Sequence, residues 1–289
     1  MSSVIAVTGA GGQVGGRVAR RLADAGASQR LLSRHPDRLP ELPGAVAASA
    51  ASYGDADAMR AAVGDAGTLF LVSAGEAPDR VREHITAVDA AVAAGVERIV
   101  YLSFLGAAPD ATFTFARDHW RTEEHIRSTG VRHTFLRDSF YQAALAAMAG
   151  ADGVLRGPGG DGRVSAVAHD DIADAVTAVL LSGGEHDGAT YDVTGPEAFT
   201  LDEAAEELSR AAGRPVAYVA ETRDEAYASR ARYNAPAWEL AGWVTSYEAI
   251  ATGEMSTMAD TVPRLTGHPA QSFAEFLERN PDSYRHLKR

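Results

Sequence analysis

The sequence contains no cysteine. Disulfides, thiolate metal sites and a thiol nucleophile are therefore excluded. Basic residues are the minority, 27 against 39 acidic ones, for a net charge of −12. A surface of that sign repels nucleic-acid phosphates and anionic bilayers, so neither is expected as a direct partner. Aromatic residues make up only 7% of the chain. No apolar run approaches the ~18 residues of a membrane-spanning helix. No basic-then-apolar leader precedes the first apolar segment, and the expectation is a cytoplasmic protein. What remains is an ordinary globular composition, 46% hydrophobic and 23% charged over 289 residues. That length suits one large domain or a core with a smaller satellite.

The most informative stretch lies near the N-terminus. Val4 to Val7 is a short apolar run that ends in Thr8-Gly9-Ala10-Gly11-Gly12-Gln13-Val14-Gly15. Helical spacing starts at once, with Val14, Val18 and Leu22 every four residues. Strand, tight turn and helix together form the setting in which glycines receive phosphate. Gly9 permits the turn, Gly12 lets backbone approach a pyrophosphate, and Gly15 lets the helix lie close on the strand. The helix N-terminus then faces the anion with free N–H groups and the positive end of its dipole. The spacing is G-x-x-G-x-x-G, and Gly9, Ala10, Gly11, Gly12, Gln13, Val14 and Gly15 are the candidate dinucleotide ligands.

Strands and helices alternate downstream. Arg30–Ser33, Ala45–Ala48, Thr68–Val72, Ile99–Leu102 and His133–Leu136 read as strands. Helices are expected over 57–63, 79–94 and 115–128, the last two stopped by Gly95 and Gly130. This order predicts an α/β fold, a Rossmann-type doubly wound parallel sheet with ligands at the carboxyl ends of its strands. Later segments read as a helix over 140–148, a glycine-rich loop over 150–162, a strand over 164–168 and a helix over 171–181. A strand over 190–193, a helix over 200–212 with Thr200 and Glu203 as a capping box, and a strand over 216–219 follow. Residues 1–150 are assigned to the nucleotide-binding core. Residues 151–289 form mainly a smaller α/β substrate lobe interleaved with it.

The 8–15 turn, Ser33-Arg34-His35-Pro36, Tyr53-Gly54-Asp55, the 119–130 segment, Leu136-Arg137, His169-Asp170-Asp171-Ile172-Ala173 and Gly267-His268-Pro269 carry a family resemblance. In order and spacing they resemble the NmrA-like, atypical short-chain dehydrogenase/reductase family. Within it they are nearest the NAD(P)H:quinone oxidoreductase and triarylmethane-dye reductase members. The resemblance implies a nicotinamide cofactor, a small-molecule substrate and a homodimer. No metal site is expected.

Cofactor choice is argued from residues. An NAD enzyme usually carries Asp or Glu at the end of the second strand, to accept from the ribose 2′-OH. Here that place holds Ser33 and Arg34. A guanidinium forks onto a phosphate, so Arg34 selects NADP unless it is simply a solvated loop cation. Ser73-Ala74-Gly75, after the fourth strand, is either an ordinary turn or the place where backbone passes the cofactor, which the resemblance implies.

The Tyr-x-x-x-Lys pair of typical short-chain dehydrogenases is absent. The resemblance puts His119 beside the nicotinamide as a cofactor contact and a candidate acid, with Glu123 one helical turn away. Otherwise His119 is a half-buried helix histidine paired to Glu123 or Asp118. Ser103, two residues from Tyr101 on one strand face, takes the place of the family serine as a cofactor and catalytic candidate. Phe104, Phe140 and Tyr141 are expected to bind substrate, and Tyr141 is also a catalytic candidate. Phe113, Phe115, Trp238 and Trp243 are read as core. Asp138 either favours a cationic substrate or, the preferred reading, caps the following helix. Relatives carry Glu-Asn where this chain has Ala143-Ala144. These features suggest an NADPH-dependent reductase of quinone-like or other conjugated electrophiles, which need little proton assistance. The alternative is a non-catalytic NADP-binding regulator acting through a protein partner. Nucleotide-sugar epimerase-like chemistry is a distant third.

Overall fold

The computed structural model describes residues 4–49 and 52–288. It opens with β1 (Ile5–Val7), α1 (Gln13–Asp24), β2 (Gln29–Ser33), β3 (Ala45–Ser49), α2 (Ala56–Val63) and β4 (Thr68–Val72). Then come α3 (Arg80–Ala93), β5 (Arg98–Phe104), α4 (Thr114–Ser128), β6 (Arg132–Asp138) and α5 (Gln142–Met148). They are followed by β7 (Val154–Gly157), β8 (Arg163–Val164), α6 (His169–Leu181) and β9 (Thr190–Val193). The chain ends with β10 (Phe199–Thr200), α7 (Leu201–Ala212), β11 (Ala217–Ala220), α8 (Arg223–Arg230), α9 (Ala237–Ala251), α10 (Thr261–Thr266) and α11 (Phe273–Arg279). No helix among the described residues is long and apolar enough to cross a membrane.

Two compact units emerge. The first comprises 1–107, 118–137 and 172–191, and the second comprises 108–117, 138–171 and 192–289. A seven-stranded sheet in the order β3-β2-β1-β4-β5-β6-β9 organises the first, and the pairings from β3 through β5 are all parallel. The chain therefore builds outward from β1 to β3 and then returns to lay β4 on the other side of β1. That reversal between β1 and β4 is the topological switch point of a doubly wound sheet, where such folds open a crevice at the strand carboxyl ends.

The central strands are apolar without alternation because both faces are covered. Leu69, Leu71, Ile99, Tyr101 and Phe135 pack with Met59, Val63, Val88 and Ile126 of α2, α3 and α4. On α1, Arg21 pairs with Asp174 of α6 at 2.6 Å.

In the second unit β7 pairs in parallel with β11, and β8 pairs antiparallel with β10. Several expectations change here. The glycine-rich 150–162 stretch is not wholly an open loop, since it contains β7 and is held by contacts at Gly157, Gly159 and Gly162. Tyr218 Oη donates to Gly157 O at 2.7 Å and accepts from Gly159 N at 2.9 Å. A Cβ on Gly157 would lie 2.3 Å from the Tyr247 ring, and one on Gly162 would lie 2.0 Å from Ile250 O. These glycines serve close packing against α9, not mobility. The 164–168 strand shortens to β8, because Val167 instead forms a bridge with Tyr141. That bridge keeps Tyr141 extended, so α5 starts at Gln142 and not at Phe140. The Thr200–Glu203 capping box forms as expected, and Gly213 closes α7 in the left-handed conformation.

Gly15 is the tightest joint of the β1–α1 turn, since a Cβ there would lie 2.3 Å from Gly9 O and 2.8 Å from Thr8 O. Gly15→Ala should therefore cost about 1–3 kcal/mol in urea denaturation, as overpacking against fixed backbone does. Unchanged stability would show that the helix does not lie as close as described.

Candidate functional site

At the switch point, the backbone of the turn after β1 faces a pinned strand end, that of β4. Gly9 has φ +59°, and its Cβ position lies 3.2 Å from Val72 Cβ at the end of β4. Thr8 ties the two strands together. Its hydroxyl donates to Phe70 O at 3.2 Å and accepts from Val72 N at 2.8 Å. Gly12 is the N-cap of α1, with no side-chain capping bond and no acidic residue in the first helical turn. The first N–H groups of α1 and its dipole thus face the turn without a competing carboxylate, a setting suited to phosphate. Ser33 closes β2 and Arg34 follows it, exposed. Tyr53 Oη donates to Val72 O at 2.7 Å, and burial pushes its phenol pKa upward against the pull of the Arg34 charge.

Beyond β4, the Ser73-Ala74-Gly75 turn is held by residues that sequence reasoning passed over. Ala74 N donates to His84 Nε2 at 2.8 Å, and Arg80 Nε donates to Ala74 O at 3.0 Å. Both side chains come from the first turns of α3 and are buried. Because His84 Nε2 accepts, its proton sits on Nδ1 and is donated to Thr122 Oγ1 at 2.9 Å. Thr122 passes its own proton to Asp118 O at 2.8 Å. The same logic fixes His119. Arg80 Nη2 can only donate, so His119 Nε2 accepts at 2.9 Å, and Nδ1–H donates to Tyr101 Oη at 2.9 Å. Desolvation, reinforced by the Arg80 charge, lowers His84 to a pKa of about 3 and takes His119 well below its ordinary value.

This arrangement changes the reading of His119. Its partners are Arg80 and Tyr101, not Glu123 or Asp118. Both ring nitrogens are committed and the ring is neutral, with its one N–H donated to Tyr101 Oη. The rings of Tyr101 and Phe104 lie 5.8 and 5.9 Å from it, and Phe104 is half-buried.

Ser103 and Glu123 form a second buried group. Ser103 Oγ donates to Glu123 at 2.6 Å, and Arg137 grips the same carboxylate through Nε at 2.9 Å and Nη2 at 2.7 Å. Arg127 adds a longer contact at 3.3 Å. The serine hydroxyl therefore secures a carboxylate–guanidinium fork at the end of β6.

In the second unit, Asp138 is buried and accepts from Tyr141 Oη at 2.8 Å. The preferred cap role fails here, since α5 has Tyr141 as its N-cap and no side-chain capping bond. The Tyr141 ring lies 4.4 Å from that of His169. Phe140 packs with Phe113, Phe113 with Phe115 and Phe115 with Trp238, at centroid separations of 6.2, 5.5 and 6.2 Å. Trp243 packs on Tyr233 instead. Among the described residues no His, Asp and Glu cluster could hold a metal ion.

A sequence signal for Arg80 and His84 existed. The buried face of α3 runs through Ala87, Val88 and Ala91, and stepping back by helical turns lands on His84 and Arg80. Charged or titratable residues on an apolar stripe point to a buried polar network. Its acid sensitivity follows. The unfolded chain protonates these histidines near pH ~6.5, whereas the folded chain keeps them neutral, so stability is full above that value and falls as pH drops toward 5. Each histidine contributes at most about 1.4 kcal/mol per pH unit. Urea denaturation between pH ~7 and ~5 should show this slope, reduced in His84→Gln, and a flat profile would contradict buried neutral histidines.

Comparison with known proteins agrees with this architecture. The model of the NmrA-like family matches residues 1–238. The chain is 36% identical over 286 residues to a (4-alkanoyl-5-oxo-2,5-dihydrofuran-3-yl)methyl phosphate reductase of Streptomyces griseus, with 97% of this chain and 99% of that protein covered. It is 32% identical over 286 residues to an NAD(P)H azoreductase of Xenophilus azovorans, at the same two coverages. Among solved structures, the NADPH-dependent quinone oxidoreductase of Escherichia coli complexed with NADPH superposes with a TM-score of 0.86 and 29% identity, over 95% of this chain and 99% of that one. By full-length sequence likeness and by the architecture that carries its β1–α1 turn, the chain belongs to the NmrA-like family.

Proposed function

We propose that the protein is an NADPH-dependent reductase of small conjugated electrophiles. The observation that carries the reading is the glycine turn at the switch point of the sheet. A glycine turn without a competing acid faces the end of β4, and β2 ends in Ser33 and the exposed Arg34 where a carboxylate would select NAD. Full-length likeness to reductases supports turnover over binding alone. Those relatives are named for acceptors that share an electron-poor conjugated system.

In this reading the backbone of Gly9, Ala10, Gly11, Gly12, Gln13, Val14 and Gly15 receives the pyrophosphate. Arg34 forks onto the 2′-phosphate, and Ser73-Ala74-Gly75 borders the dinucleotide. Bound NADPH supplies the hydride. Phe140 and Tyr141, both of the second unit, bind the acceptor, and holding it in place provides most of the acceleration. Tyr141 keeps a proton at Oη, hydrogen-bonded to Asp138. His119 and Ser103 act indirectly, through Arg80 with Tyr101 and through Glu123 with Arg137. The only lysine is Lys288, so no Tyr–Lys couple can form on α4.

Anaerobic NADPH oxidation against a quinone, an azo dye and an unsaturated lactone tests the proposal. Turnover of at least one is expected. Tight NADPH binding without oxidation of any acceptor would leave a nucleotide-binding regulator instead. Arg34→Ala should weaken NADPH binding about ten- to a hundredfold, the worth of a charge-assisted contact, while NADH changes by less than about twofold. Equal losses for both cofactors would remove Arg34 from the 2′-phosphate.

A further inference from the structure

We propose that Arg80 and His84 are positioning residues for the dinucleotide, acting by fixing the orientation of the two peptide groups that flank Ala74. The inference rests on the cofactor reading above and extends it to residues that lie outside the glycine turn. Three features point the same way.

Topology comes first. β4 is the strand across the switch point from β1, so the turn that leaves β4 forms the wall of the crevice opposite the glycine turn. Gly9 and Thr8 both touch the end of β4, at Val72 and Phe70, which places the two walls in contact.

Second, Ala74 is held at both ends of its backbone polarity. Its N–H is committed to His84 Nε2 and its carbonyl accepts from Arg80 Nε. A turn of small residues would ordinarily be free to exchange peptide orientations, and one side chain on each group removes that freedom. Gly75 follows with nothing among the described residues within 4 Å of its Cβ position, so the packing of described side chains does not fix the turn there.

Third, the two holding side chains are themselves locked. His84 continues to Thr122 and the Asp118 carbonyl, and Arg80 continues to His119 and Tyr101. Each link has a fixed donor and acceptor, so the polarity of the chain leaves one arrangement. Lysine in place of Arg80 would keep the charge but lose the planar fork that reaches Ala74 O and His119 Nε2 together. Glutamine in place of His84 would keep an acceptor for Ala74 N–H.

The test is calorimetric titration of NADPH into the full-length chain and into His84→Leu, His84→Gln and Arg80→Lys, with each variant first checked for native circular dichroism and a cooperative melt. His84→Leu and Arg80→Lys are each expected to bind NADPH at least about tenfold more weakly. His84→Gln is expected to stay within about threefold of the parent, a rescue that a role confined to packing would not give. If His84→Leu does not fold, Arg80→Lys and His84→Gln decide by the same criteria. Parent-like affinity in folded His84→Leu or Arg80→Lys would overturn the positioning role alone. Failure of the parent chain to bind NADPH would overturn the cofactor reading and this inference together.

Discussion

Two buried histidines, His84 and His119, each face a nitrogen donor at Nε2, and much of the site depends on that constraint. A protonated ring would place hydrogen against hydrogen, so both rings are neutral and carry their proton on Nδ1. That single tautomer sets the direction of every bond beyond it, to Thr122 and Asp118 on one path and to Tyr101 on the other. The rings thereby join α3, α4, β5 and the turn after β4 into one rigid seam. The cation in the seam is Arg80, and it shares its field with Asp118, whose carboxyl burial raises and Arg80 lowers.

The seam also explains how a short-chain reductase fold can lack the usual Tyr–Lys couple. In that couple a lysine lowers a phenol pKa so that it can move a proton. Here a neutral histidine donates to Tyr101 and its other nitrogen is occupied, so the group is built to hold a geometry and not to pass protons. In the proposed function, an acceptor that is already electron-poor suits such a group, because hydride delivery to it would depend chiefly on placement. The Ser103–Glu123–Arg137 group has the same character, with the serine hydroxyl, both carboxylate oxygens and two of the guanidinium nitrogens committed to a neighbour.

The sequence made the β1–α1 turn legible because two periodicities meet there, and the glycine between them has a steric reason that no other residue satisfies. The strands β2, β4, β5 and β6 were equally legible, being apolar runs bounded by turn residues. Elsewhere local signals misled. Arg80 and His84 look like the charged start of an amphipathic helix, and only the phase of the buried stripe places them inside. The glycines of 150–162 resemble a mobile loop, yet at Gly157 and Gly162 Tyr247 and Ile250 take the space a side chain would fill. Asp138 resembles a helix cap, but the Tyr141–Val167 bridge delays α5 and leaves the carboxylate to the phenol. In each case a contact distant in sequence outweighed a local preference.

Whether this chain delivers a hydride is decided by isotope transfer. NADPH deuterated at the transferable position of its nicotinamide, turned over with an acceptor that is reduced at carbon, should place one deuterium in the product, as mass spectrometry would show. An unlabelled product, or a labelled cofactor that stays bound and unoxidised beside a competent acceptor, would contradict hydride delivery.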